Sequence, residues 1–339
     1  MLRARVTLAL QGGGAHGAFT WGVLDRLLEE EGLEIAGVSG TSAGALNAAV
    51  LKAGLAAGGR EAARAALDDL WRQVARLGDF RVGAVTVAPS PAMTALTEWW
   101  MGMLPVSVQG LTAQLYSPYQ FGALWHNPLE ELVRGLDWGR IDGDAGPVLH
   151  VSATNVRTGK IRVFSGAEVS PEVLLASACL PTVFKAVEID GEAYWDGGYS
   201  GNPALFPLYA HGMPGDLVIV QVIPLRRDTV PTTAADIQER ITEIGFNAPL
   251  LRDLRAIAFV RRLIAEGRVP RGEMKNIRVH MIADDPTMNS LTARSKMSPS
   301  PRLLYRLRRA GRAAADRFIT DHGAMLRNKT TVDMAGLIG

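Results

Sequence analysis

The chain has 339 residues, 47% hydrophobic and 21% charged, with a formal net charge of +2. That balance belongs to a globular protein with a sizeable core, and it excludes a disordered chain or one that binds nucleic acid through bulk charge. The single cysteine, Cys179, excludes an internal disulfide and suits a reducing compartment.

Val6 to Leu10 reads as a buried strand, too short for a signal-peptide core of about 7–15 residues. It runs into Gln11-Gly12-Gly13-Gly14-Ala15-His16-Gly17. A helix follows from Ala18 to Glu30, with Phe19, Val23, Leu24, Leu27 and Leu28 at helical spacing. Three glycines at a strand-to-helix turn expose backbone N–H groups, as an oxyanion site requires. Next comes the short apolar run Ile35-Ala36-Gly37-Val38-Ser39. Gly40-Thr41-Ser42-Ala43-Gly44 closes it and opens a helical stretch ending at Gly58-Gly59. A G-x-S-x-G between strand and helix has the context of a nucleophile elbow, with the serine at a helix N-terminus. This βαβα order predicts parallel strands with helices on their faces.

Glu61 to Val74 reads as a further helix. Residues 82–128 stand apart: Glu98 and His126 are their only titratable residues besides tyrosine, and they carry Trp99-Trp100 and several methionines and prolines. This uncharged insertion is a candidate lid or acyl-chain pocket. Val148 to Asn155 and Lys160 to Phe164 predict a hairpin, and Pro171 to Ala178 a helix. Val183 to Ile189 and Ala193 to Trp195 predict strands around an Asp190-Gly191 turn. They lead into Trp195-Asp196-Gly197-Gly198, a carboxylate in a tight glycine turn. Later strands are predicted at Leu217 to Ile223 and Ile277 to Ile282, and helices at Ile237 to Gly267 and Pro301 to His322. Residues 252–317 carry a surplus of arginine and lysine. A solvated arginine face is the commoner explanation; an anionic membrane surface is the other.

Gly-Gly-Gly-x-x-Gly, then G-T-S-A-G, then Ala176-Ser177-Ala178-Cys179-Leu180-Pro181 and D-G-G, in this order and spacing, resemble the patatin-like lipid acyl hydrolases. The likeness spans residues 4–210. It implies an α/β three-layer sandwich with a mostly parallel central sheet, and a C-terminal helical extension over 211–339 packed on the same domain. It also implies a serine–aspartate dyad: Ser42 as nucleophile, Asp196 as base, and Gly12, Gly13 and Gly14 as the oxyanion hole. The implied substrate is a lipid acyl ester. No cofactor, metal or nucleic-acid partner is expected, and the six histidines are scattered. The expected location is cytoplasmic, with peripheral membrane contact.

The dyad is chemically coherent. A serine hydroxyl is a weak nucleophile until a positioned base takes its proton. A carboxylate can do so once burial raises its pKa, and Tyr194, Trp195 and Tyr199 offer the surrounding bulk. His16 departs from the basic residue the family often carries there. Its candidate roles are a hydrogen bond to substrate, ordering of the glycine loop, or packing alone. Ser295-Lys296 resembles a tail carried by some bacterial members, to which the sequence assigns no chemistry. Two alternatives stand beside the dyad: an α/β-hydrolase Ser–Asp–His triad using His280 or His322, and a non-catalytic lipid-binding scaffold. Against the triad, only one βα unit precedes the elbow.

Overall fold

The computed structural model describes residues 4–78, 117–120, 126–270 and 272–338. In chain order, β1 (Ala4–Leu10) leads through the glycine loop to α1 (Ala18–Leu27), then β2 (Leu33–Gly40) and α2 (Ala43–Leu77). The two helices read from the sequence are one run broken at Gly58 and Gly59, and Gly59 takes a φ of 74° that favours glycine. Short helices α3 (Leu129–Arg134) and α4 (Trp138–Ile141) precede β3 (Val148–Asn155), β4 (Ile161–Ser165), α5 (Pro171–Ser177), β5 (Val187–Ile189) and β6 (Glu192–Asp196). Then come β7 (Asp216–Val220), α6 (Ala234–Ala265), β8 (Arg278–Ile282), α7 (Asp285–Asn289), α8 (Ala293–Met297), α9 (Pro301–His322) and α10 (Met334–Ile338). The strand predicted from Val183 begins only at Val187, because residues 181–184 turn, with Val183 N–H bonded to the Leu180 carbonyl.

One eight-stranded sheet runs β5-β6-β3-β2-β1-β7-β8, with β4 also paired to β3. β3, β2, β1, β7 and β8 are mutually parallel, and β4, β6 and β5 add antiparallel pairs at one side. Alternation along the strands divides the core. Val218 and Val220 face the cluster shared with α1, α2 and α9, whereas Leu217 and Ile219 face Leu250, Leu254 and Ile257 of α6. The result is three layers, helices on either side of a mostly parallel sheet.

α9 lies against α1 at backbone contact: a Cβ on Gly22 would come within 2.0 Å of the Arg308 carbonyl oxygen, and one on Gly311 within 2.0 Å of the Phe19 oxygen. That closeness brings Arg308 and Arg312 onto the buried carboxylate of Asp25, at 3.1 and 2.6 Å. Arg64 reaches the same carboxylate at 2.7 Å from α2. Part of the basic character of α9 is therefore internal pairing. The insertion at 82–128 lies mostly outside the described residues, so its reading as lid or acyl pocket does too; Tyr119 within it accepts a 3.0 Å hydrogen bond from the Ala186 N–H.

Candidate active site

In a mostly parallel sheet, loops leaving the carboxyl ends of the strands converge on one edge. β1 ends at Leu10 and β2 at Gly40, which are register partners, so the glycine loop and the elbow emerge side by side. Gly40 pairs with Val151 of β3, and Asp196 pairs with Ala153 two residues further along β3. Ser42, two residues past Gly40, therefore reaches the level of Asp196 across the intervening strand.

The elbow is tight. Ser42 adopts φ 55° and ψ −124°, outside the helical and extended regions that L-residues prefer. Both glycines of G-T-S-A-G are sterically required, since a Cβ on Gly40 would sit 2.6 Å from the Gly44 oxygen and one on Gly44 2.2 Å from the Leu10 oxygen. Ser42 N–H donates to Ser177 Oγ at 2.9 Å, so the Ala176-to-Pro181 motif braces the elbow from α5. Thr41 Oγ1 bonds Ser152 Oγ at 2.6 Å and donates to the Gly201 carbonyl at 2.8 Å.

Asp196 is 1% exposed. Its Oδ1 accepts the Gly198 N–H at 2.8 Å, and the Ser42 side chain lies near enough to favour its ionised form. Burial raises its pKa from 3.8 to about 7, against the pull of the Gly198 bond and the nearby Ser42 side chain, which favour the ionised form. Phe246 of α6 presses on the D-G-G turn, where a Cβ on Gly198 would lie 2.3 Å from its ring, and packs edge-on to Tyr199. The apolar cover thus includes Phe246, far along the chain, with Tyr199 beside it.

The glycine loop meets the elbow. A Cβ on Gly12 would be 2.8 Å from Ser42 Cβ, so glycine at 12 makes room for the serine. Gly12 N–H is committed to Asn202 Oδ1 at 2.8 Å. Gly14 takes φ 58°, open to glycine at little cost. Asn47 on α2 donates to the Gly17 carbonyl at 3.2 Å and ties the loop to the elbow helix. Gln11 is fully buried. Its Oε1 accepts the Val222 and Ile223 N–H groups at 2.8 and 2.9 Å, while its Nε2 donates to the Asn202 carbonyl and to Asn247 Oδ1, both at 3.2 Å. None of Gln11, Ser177, Asn202, Phe246 or Asn247 announces this role in the sequence. The signal available to a reader was only that Gln11 and Ser177 sit inside the motifs.

His16 is 2% exposed, with Nε2 2.7 Å from Ser295 Oγ. Burial, then the nearby charges of Lys296 and Arg227, lower its pKa to about 3, so it is neutral at ordinary pH. The late histidines lie elsewhere. His280 on β8 is fully buried, with Nε2 3.1 Å from Asp216 Oδ1 and Nδ1 3.1 Å from Thr331 Oγ1. Asp216 pairs with Val6, towards the opposite end of β1 from the glycine loop. Burial alone would push the Asp216 carboxyl up. Bonds from His280, Arg278 and the Arg327 N–H overcome it and hold the carboxyl well below the usual range. His280 thus sits in a structural network. Replacing it by alanine is expected to cost about 1–3 kcal/mol of stability in a denaturant titration, with kcat of the folded protein unchanged. A collapse of kcat at full foldedness would restore a histidine base. The other late histidine, His322, ends α9, where it stacks edge-on with Phe318.

Among the described residues no group of three or more histidine, cysteine, aspartate or glutamate side chains could hold a metal ion. Cys179 is buried, its thiol bonded to the Lys185 carbonyl, and burial pushes its pKa up to about 12. It is a structural thiol.

A strained serine at the mouth of a parallel sheet, beside a buried carboxylate and a glycine loop, places the chain in the class of α/β acyl hydrolases. The family model described as patatin-like phospholipase matches residues 8–209, well over half of the chain. The chain belongs to that family, and is accordingly a lipid acyl hydrolase. Among solved structures, it is similar to VipD from Legionella pneumophila, with 16% identity, a TM-score of 0.42, and coverage of 94% of this chain and 67% of that one. It also matches a chain of the heterodimeric ExoU–SpcU complex from the type III secretion system of Pseudomonas aeruginosa, with 17% identity, a TM-score of 0.30, and coverage of 99% and 75%. No curated protein matches it in sequence.

Proposed function

We propose that the chain hydrolyses carboxylic ester bonds of lipids through an acyl-enzyme on Ser42, with Asp196 as the base. What supports this reading is the Ser42 side chain standing near a carboxylate that burial has made basic. Ser42 Oγ attacks the ester carbonyl carbon and its proton passes to Asp196. The carbonyl oxygen, now negative, lies against the Gly13 and Gly14 N–H groups, since that of Gly12 is committed to Asn202. The tetrahedral intermediate collapses, the C–O bond to the alcohol breaks, and Asp196 returns the proton to the leaving oxygen. Water then attacks the acyl-enzyme with Asp196 again as base, releasing the carboxylic acid and free Ser42.

In this reading His16 orders the glycine loop rather than meeting substrate, because it is buried and engaged with Ser295. Residues 4–210 carry the reacting groups, and residues 211–339 complete the same domain, as the pairing of β7 with β1 supports. Peripheral contact with a lipid surface belongs to the same reading. Ile237, Ile241 and Ile244 are exposed on the α6 helix that carries Phe246 against the D-G-G turn. Among the described residues no helix is long and apolar enough to cross a membrane.

The direct test is labelling with a fluorophosphonate, followed by mass spectrometry of the adduct. The expected adduct is on Ser42. An adduct on another residue, or none on folded wild type, would overturn the assignment.

A further inference from the structure

The glycine loop has a partner from the far end of the chain, outside the region that the family model matches. A Cβ on Gly14 would lie 2.4 Å from the Lys296 carbonyl oxygen, so the backbone of α8 rests directly on the loop. One residue earlier, Ser295 Oγ donates to the Thr292 carbonyl at 2.6 Å. Its single proton is thereby used, so in its 2.7 Å contact with His16 it accepts from an Nε2–H. The His16 N–H in turn bonds the Gly13 carbonyl at 3.2 Å, so His16 belongs to the turn that presents Gly13 and Gly14. Lys296 provides a second hold. Its Nζ lies 3.7 Å from Glu243, which is 1% exposed on α6 and is gripped by Arg227 at 2.6 Å and Arg240 at 3.2 Å. One turn along α6, Asn247 holds the other end of the loop through Gln11.

We propose that residues 292–297 form a clamp on the oxyanion loop, in which Ser295 is a positioning residue that acts through His16 and Lys296 anchors the clamp to α6. The proposal rests on the reading of Gly13 and Gly14 as oxyanion donors. Its physical basis is that three successive glycines are the most freely rotating backbone a chain can offer. Oxyanion stabilisation, in contrast, demands donors fixed before the charge develops, and a misplacement of about 1 Å costs about 100-fold in rate. No side chain of the glycines themselves can supply that rigidity. It comes from what is packed on them, and on this side of the loop that is α8.

The test compares wild type with Ser295→Ala, Ser295→Thr, Lys296→Met and the double variant Ser295→Ala/Lys296→Met, using a soluble short-chain p-nitrophenyl ester. Ser295→Ala should lower kcat by about 10- to 100-fold with KM within about twofold and an unchanged melting temperature. Ser295→Thr keeps the hydroxyl and should recover most of the loss. Lys296→Met should show a smaller loss, and the double variant the largest. The rate of Ser42 phosphonylation by a fluorophosphonate should fall in parallel with kcat, because its phosphoryl oxygen would occupy the same donors. Full kcat in both Ser295→Ala and the double variant would overturn the clamp, as would a kcat loss matched by a fall in melting temperature and not recovered by threonine. Ser42→Ala separates the two readings. If it is inactive while the Ser295 variants are fully active, the clamp alone fails; if it retains turnover, the site assignment beneath it fails.

Discussion

Ser42→Ala should lower kcat for lipid-ester hydrolysis by about 10⁴-fold or more, the scale seen when a nucleophile is removed from a serine hydrolase. The residual rate would come from binding and the oxyanion donors alone. The fold should tolerate the change, because only the hydroxyl is lost and the Ser42 N–H still donates to Ser177. A companion variant exploits the backbone. At φ 55° and ψ −124° a residue with a Cβ is strained, at a cost on the order of 1–3 kcal/mol. Ser42→Gly should therefore be as inactive as Ser42→Ala yet melt at a higher temperature. That combination would show that strain is retained at this position for the sake of the hydroxyl. Turnover above about 1% of wild type in Ser42→Ala, or a lower melting temperature for Ser42→Gly than for Ser42→Ala, would contradict it.

Asp196→Asn should lower kcat by about 10³-fold or more, since the amide cannot take the serine proton. It should also stabilise the protein, and the sign follows from the raised pKa. Asp196 titrates at 3.8 when unfolded and at about 7 when folded, so the native state binds its proton more tightly. Its contribution to stability is complete below pH 3.8 and is lost as pH rises through 7. Above that, the folded protein carries a buried charge that costs on the order of 1.4 kcal/mol for each pH unit between the two values. Asparagine keeps the acceptor for the Gly198 N–H and never ionises. At pH 8 the variant should melt several degrees above wild type, and the gap should close towards pH 4. The same pKa predicts that wild-type kcat/KM rises with pH and levels off with an inflection near 7. An acid limb centred near pH 4, together with no stabilisation in the variant, would mean that Asp196 is not the buried base.

The turns that carry the proposed dyad were legible because their signals are local. Gly40 and Gly44 are dictated by backbone contacts within a few residues of Ser42 or with the strand beside it. The D-G-G turn carries its own hydrogen bond from Gly198 to Asp196. The βαβα order and the hairpin at residues 148–165 followed from periodicity and turn residues in the same way. Gly12 could be recognised as part of a strand-to-helix glycine turn, but not that its N–H is taken by Asn202, 190 residues away. His16 could be flagged as unusual, but its role depends on Ser295, 279 residues further on.

The amino-acid sequence by itself determined the parallel core, the elbow, the glycine loop and the carboxylate, because turn chemistry and hydrophobic periodicity act between near neighbours. Tertiary structure alone decided that the Gly12 N–H is taken by Asn202, how far burial raises Asp196, and that α8 packs on the glycine loop and α6 on the D-G-G turn. Those properties arise from packing and hydrogen bonds between segments far apart in the chain, 190 residues for Gly12 and Asn202 and 279 for His16 and Ser295. An isolated polar residue such as Asn247 or Ser295 carries no local mark of the partner it will meet.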